Sequence, residues 1–200
     1  MERKAFIIRA KDRRAADAAE ALRDKAAAVK VDNFSVWAVS DLLLCYGEEQ
    51  EGGDAAALAE AVLASAGEGA ALLAAPGTMR LMYHDIGVVR QDKSLIRHRV
   101  FCTRLKPGCA EEYKRRHDGL IEARGDAVSQ GPDSNFTIWY GAGYIFGYCE
   151  LVKSFDHEMT EEERASTVAW ETRQLEIMDW LTDDVDWITG EKHEHIQRLV

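Results

Sequence analysis

Apolar and polar positions along this chain fall into alternating short runs and longer helical stripes, and the order of those runs is written twice. Residues 3–10, RKAFIIRA, carry Phe and two Ile with no breaker, which predicts a strand ended by the charged turn KDRR. From Ala15 to about Val29 strong helix formers dominate, with Ala15, Ala18, Leu22 and Ala26 along one side, and a helix is expected. Residues 33–48, NFSVWAVSDLLLCYGE, give two apolar runs split by Ser40-Asp41, the pattern of a hairpin. Gly52-Gly53-Asp54 opens a second helix from about Ala55 to Ala64, Pro76-Gly77 breaks the chain, and MRLMYHDIGVV at 79–89 reads as a strand.

The same order then restarts. RVFCTRLK at 99–106 lines up with KAFIIRAK at 4–11, and NFTIWYGAGYIFGYCE at 135–150 lines up without a gap on NFSVWAVSDLLLCYGE. A period near 100 residues is far too long for a solenoid, so each copy is expected to be a small domain. The boundaries follow as 1–92 and 96–200, with the charged RQDKS at 90–94 as linker. The second copy is predicted to end in a long helix over about 161–181, then the loop DDVDWITGEKH, then HIQRLV as the last strand. The expected fold class is α+β: two ferredoxin-like βαββαβ domains whose apolar sheet faces pack on one another within one chain.

Composition narrows the partners. A hydrophobic fraction of 46% over 200 residues supports a real core, while a formal net charge of −10 argues against nucleic acid or an anionic membrane surface. The local cluster Lys114-Arg115-Arg116 is expected to be a solvated helix face. Cys45, Cys102, Cys109 and Cys149 show no zinc-finger spacing, so free thiols are expected. The acids Asp183, Asp184 and Asp186 and the HEH at 193–195 are too local for a cation site, and no metal or cofactor is expected. A start without a signal-peptide pattern, and the lack of an 18-residue apolar run, lead to the expectation of a cytoplasmic protein. A single-chain barrel and a homodimer of fused chains are both compatible with the sequence.

One stretch carries candidate chemistry. On the helix opening after Pro107-Gly108, residues Ala110, Tyr113, His117, Leu120 and Ile121 share one face. A phenol and an imidazole one turn apart on a buried stripe must find partners or line a wet cavity, since an unpaired buried polar group costs about 2–7 kcal/mol. The chain supplies its own comparison, because Tyr113 falls opposite Ala18 and His117 opposite Leu22. Packing alone is therefore served by Ala and Leu, and one site per chain is expected, in the second copy. Trp139 and Glu150 on the adjacent hairpin are further candidates, although Trp37 and Glu48 occupy the matching positions and also suit a shared structural role.

RVFCTRLKPGCAEEYKRRHD, followed by NFTIWY and IFGYCE, resembles the L-rhamnose mutarotase family, well over 97–200 and as a degenerate copy over 3–89. The resemblance implies a dimeric α/β barrel, here fused in tandem. It implies an isomerase that interconverts the anomers of an aldose such as L-rhamnose, with Tyr113 and His117 at the sugar and His117 as proton donor. The family's other sugar-contacting aromatics fall at Phe136, which stands where a tyrosine is usual, and near Ile177 and Met178, where it has a tryptophan pair. A non-catalytic sugar- or metabolite-binding barrel is the alternative, and an oxygenase on the same scaffold a third, because fold does not fix function.

Overall fold

The computed structural model describes residues 1–11, 14–129, 133–153, 160–182 and 196–200. They form two units, one of Met1–Arg80 joined by a strand from the C-terminus, the other starting at Leu81.

In the first unit β1 (Glu2–Arg9), α1 (Ala19–Ala28), β2 (Val31–Val39), β3 (Leu42–Glu49), α2 (Ala55–Ser65) and β4 (Ala71–Ala74) follow one another along the chain. The second unit uses β5 (Arg80–Gly87), β6 (Ile96–Leu105), α3 (Ala110–Arg124), β7 (Asp133–Gly141), β8 (Tyr144–Val152), α4 (Glu161–Gln174) and β9 (Met178–Thr182). The short β10 (Gln197–Arg198) returns to the first sheet. Sheet order is β10-β2-β3-β1-β4 in one unit and β5-β7-β8-β6-β9 in the other, so each is a five-stranded sheet flanked by helices, the duplicated ferredoxin-like α+β pattern.

The duplication reaches single residues. Phe6 pairs with Cys45, and the matching Phe101 pairs with Gly147, in corresponding antiparallel ladders. Register shifts between Asp32 and Ser35 in one copy, and between Ser134 and Thr137 in the other. Each irregularity holds an Asn at positive φ, 48° at Asn33 and 51° at Asn135, a conformation Asn tolerates better than most residues. Both Asn amides donate to a strand carboxylate, Asn33 to Glu48 at 3.1 Å and Asn135 to Glu150 at 3.0 Å.

Three features depart from the pattern-based reading. First, the copies exchange strands: β5, which continues the first copy in sequence, is an edge of the second sheet beside β7, and β10 is an edge of the first beside β2. Second, β4, too short and Ala-rich to stand out in sequence, takes the place beside β1 that the βαββαβ pattern gives its last strand, as β9 does beside β6. Third, the helix expected to reach 181 stops at Gln174, and Met178–Thr182 is a strand on β6. Helical spacing in LEIMDWL is outweighed by pairing with β6, where Thr103 faces Trp180. Lys106 secures the reversal: its backbone N–H donates to Ile177 C=O at 2.9 Å, and its ammonium donates to the carbonyls of Leu175 (2.8 Å) and Glu176 (3.2 Å), capping groups a helix end leaves orphaned. Among the described residues no helix is long and apolar enough to cross a membrane. The acidic cluster Asp183, Asp184, Asp186 and the HEH at 193–195 lie outside the described residues.

Candidate functional site

α3 presents the site. Pro107-Gly108, with Gly108 at φ 80°, turns the chain out of β6, and Glu111 and Glu112 in the first turn suit the positive end of the helix dipole. Tyr113 (2% exposed) and His117 (5%) are both buried, one turn apart, as the spacing requires. Their rings stack with centroids 4.2 Å apart and planes 24° from parallel. Trp170 from α4 and Tyr83 from β5 stand edge-on to the imidazole at 5.4 and 5.6 Å.

His117 Nδ1 lies 2.9 Å from the Tyr113 carbonyl oxygen. A carbonyl only accepts, so Nδ1 carries the proton and donates it, which leaves the lone pair on Nε2. Burial pushes the imidazole pKa below its ordinary value, with the Tyr113 carbonyl bond opposing in part, so the ring is neutral at neutral pH. The Tyr113 phenol is pushed the other way, first by burial and then by the charge of Glu171, and stays a neutral hydroxyl. Neither Tyr113 Oη nor His117 Nε2 bonds to another described residue, and both side chains line a cavity of about 190 Å³. One water needs only about 10–15 Å³ of such space, so the cavity has room for a small organic molecule.

The cavity lies within the second unit, between its sheet and α3 and α4. Phe101, Phe136 and Ile138 form its floor and Met178, Leu120 and Trp180 part of its wall, with Arg99 and Glu171 as the charged lining groups. Phe101 can lie flat over β8 because residue 147 is glycine: a Cβ there would meet the ring at 2.0 Å. Gln174 also lines the cavity, is 1% exposed, and neither of its amide atoms has a partner among the described residues. In the first unit the matching positions are filled. Leu22, Phe6 and Phe34 belong to one packed core with Ala18 against it.

Among the residues singled out from sequence, Tyr113, His117, Phe136 and Met178 come together at the cavity. Ile177 packs into the core beside Met178 and does not reach the cavity wall. Trp139 and Glu150 share the opposite sheet face, since Ile138 and Gly147 pair on the cavity side and side chains alternate. There Glu150, fully buried, accepts from Asn135, from Tyr148 Oη (3.2 Å) and from Lys93 (2.7 Å), a structural carboxylate repeated in the Asn33, Tyr46 and Glu48 group of the first copy. The basic cluster also divides. Arg116 is buried and clamps α3 to the end of α4, donating to Glu112 (2.7 Å), to Glu176 (2.8 Å) and to the Arg173 carbonyl, so it is not a solvated residue.

Trp170, Gln174 and Tyr83 complete the cavity and were not signalled as site residues by sequence. Trp170 and Gln174 are one turn apart on α4, a spacing that could have marked them once α4 was known to face α3. Tyr83 carried no such signal, because its strand belongs by sequence to the other copy.

The described residues thus form a duplicated ferredoxin-like α+β chain with a cavity around a neutral imidazole in its second unit. A family model described as L-rhamnose mutarotase matches residues 98–199, just over half of the chain, and the chain belongs to that family. The match supports a carbohydrate-isomerase-like function in the second copy; residues before 98 lie outside it. Searches of curated proteins and of solved structures give no significant match.

Proposed function

We propose that the second unit interconverts the anomers of an aldose, an L-rhamnose-like deoxy sugar, by acid–base chemistry at His117. The observation that carries this reading is the Nε2 lone pair of a neutral imidazole, without a partner among the described residues, beside a cavity of monosaccharide scale. In the forward half-reaction Nε2 takes the proton of the anomeric hydroxyl while C1=O1 forms and the C1–O5 bond breaks. The imidazolium gives that proton to O5, leaving an open-chain hydroxyaldehyde and the imidazole in its starting state. Rotation about C1–C2 presents the other carbonyl face, and the reverse steps close the ring to the other anomer. His117 therefore begins as base and then serves as the proton donor.

Tyr113, a neutral phenol stacked on that imidazole, orients the sugar by hydrogen bonding. Phe136 and Met178 offer apolar surface to the ring and to a deoxy carbon. The test follows anomeric exchange of L-rhamnose and other aldoses by saturation-difference NMR. A general acid–base residue typically contributes 10²–10⁴-fold, so enzyme-dependent exchange should almost vanish in His117→Ala. Tyr113→Phe, which loses one hydroxyl, should fall by much less. Binding of an aldose without enzyme-dependent exchange would identify a sugar-binding module instead.

A further inference from the structure

The family match begins at residue 98, yet one residue before it, Tyr83, lines the cavity. Tyr83 lies on β5, the strand exchanged into the second sheet, and its ring is edge-on to both His117 (5.6 Å) and Phe136 (5.4 Å). Its hydroxyl is 3.5 Å from Asp85 Oδ2. Asp85 is itself held by an ion pair with Arg124 from the last turn of α3, and its other oxygen accepts from the Gly87 N–H at 3.2 Å. A carboxylate can only accept, so it turns the phenolic proton toward itself; the Arg124 guanidinium, which can only donate, also hydrogen-bonds the phenol oxygen, and one of that oxygen's two lone pairs is left for another partner. Hydrogen bonds of this length around a binding site commonly tighten once substrate is bound.

We propose that Tyr83 is a substrate-orienting residue, its Oη accepting a hydrogen bond from a sugar hydroxyl while Asp85 and Arg124 hold its rotor, so that the first copy supplies a working wall of the second copy's site. This rests on the carbohydrate reading of the cavity, and it gives the first copy a part in recognition. It also sets a substrate requirement, because a hydroxyl donor must stand on the sugar face turned to β5. Asp85 and Arg124 are positioning residues, acting through Tyr83.

The experiment measures binding and anomeric exchange of L-rhamnose and its 2-, 3- and 4-deoxy analogues by the full-length wild type, Tyr83→Phe and Asp85→Ala, with thermal melts as a folding check. Tyr83→Phe keeps the ring and its edge contacts. It should weaken L-rhamnose binding by about 2–13-fold, the worth of one net hydrogen bond, with KM moving more than kcat. One deoxy analogue should bind wild type and Tyr83→Phe equally, since the partner hydroxyl is already gone, a selectivity that a merely structural tyrosine would not control. Asp85→Ala should shift selectivity the same way by a smaller factor. A folded Tyr83→Phe with unchanged affinity and unchanged ranking of the analogues overturns the proposal. Exchange that proceeds with Tyr83 silent removes this inference alone; binding that depends on Tyr83 without exchange removes the isomerase reading alone; a wild type that binds none of the four sugars removes both.

Discussion

At the scale of single residues, two side chains carry opposite signatures of a site. His117 is held neutral by burial. Its folded-state pKa lies below the unfolded value of about 6.5, so its contribution to stability is complete above that pH and is lost as pH falls toward the folded value. The acid limb of the anomeric-exchange profile should likewise lie below pH ~6.5, and His117→Leu should flatten the matching limb of a pH-stability curve measured by denaturant titration. Gln174 is buried with both amide atoms unpartnered among the described residues. Gln174→Leu should therefore raise stability, by about 1–3 kcal/mol in urea melts, while weakening sugar binding. Tyr113 and His117 were legible from spacing and from Ala18 and Leu22 in the other copy. Gln174 was not, because an amide looks alike in sequence whether water, protein or ligand satisfies it.

Elements were legible where local pattern and tertiary partner agree. β2–β3 and β7–β8 are each two apolar runs split by a short turn, Ser40-Asp41 in one and Ala142-Gly143 in the other, and formed hairpins; α1, α2 and α3 have helix formers with an apolar stripe and formed helices. The region after Gln174 is where they disagree, and pairing with β6 converted an expected helical turn into β9. The clamp that holds this junction is Arg116, whose guanidinium joins Glu112 on its own helix to Glu176 and the Arg173 carbonyl. Its stem is buried while Glu112 and Glu176 keep part of their exposure, so the partners can rehydrate when it is removed. Arg116→Ala should thus cost about 1.5–3 kcal/mol, the range for charge-assisted hydrogen bonds, read as a lower midpoint in urea with sugar binding reduced alongside.

For the molecule as a whole, strand exchange ties each unit to sequence from the other copy. A fragment of residues 96–200 keeps the matched family stretch but leaves the β7 edge without β5 and gives β10 no β2 to pair with. Unpaired edges of this kind recruit other strands, so the fragment should run as a dimer or larger species in size exclusion, where two copies can restore the exchange, and it should lack Tyr83. A stable monomer of 96–200 with full activity would count against any role for β5.

The sequence by itself determined the duplication, the element types over most of the chain, and the one helical face where a phenol and an imidazole replace packing residues. Those follow from local periodicity and from comparing one copy with the other, both of which are properties of neighbouring residues. Only the tertiary structure decided that β5 and β10 change places, that the chain after Gln174 pairs with β6, and that Tyr83, Trp170 and Gln174 join His117. The physical reason is degeneracy. Two similar sheets offer similar open edges, and a strand's alternation sets which of its faces is buried but not which of the two edges it joins.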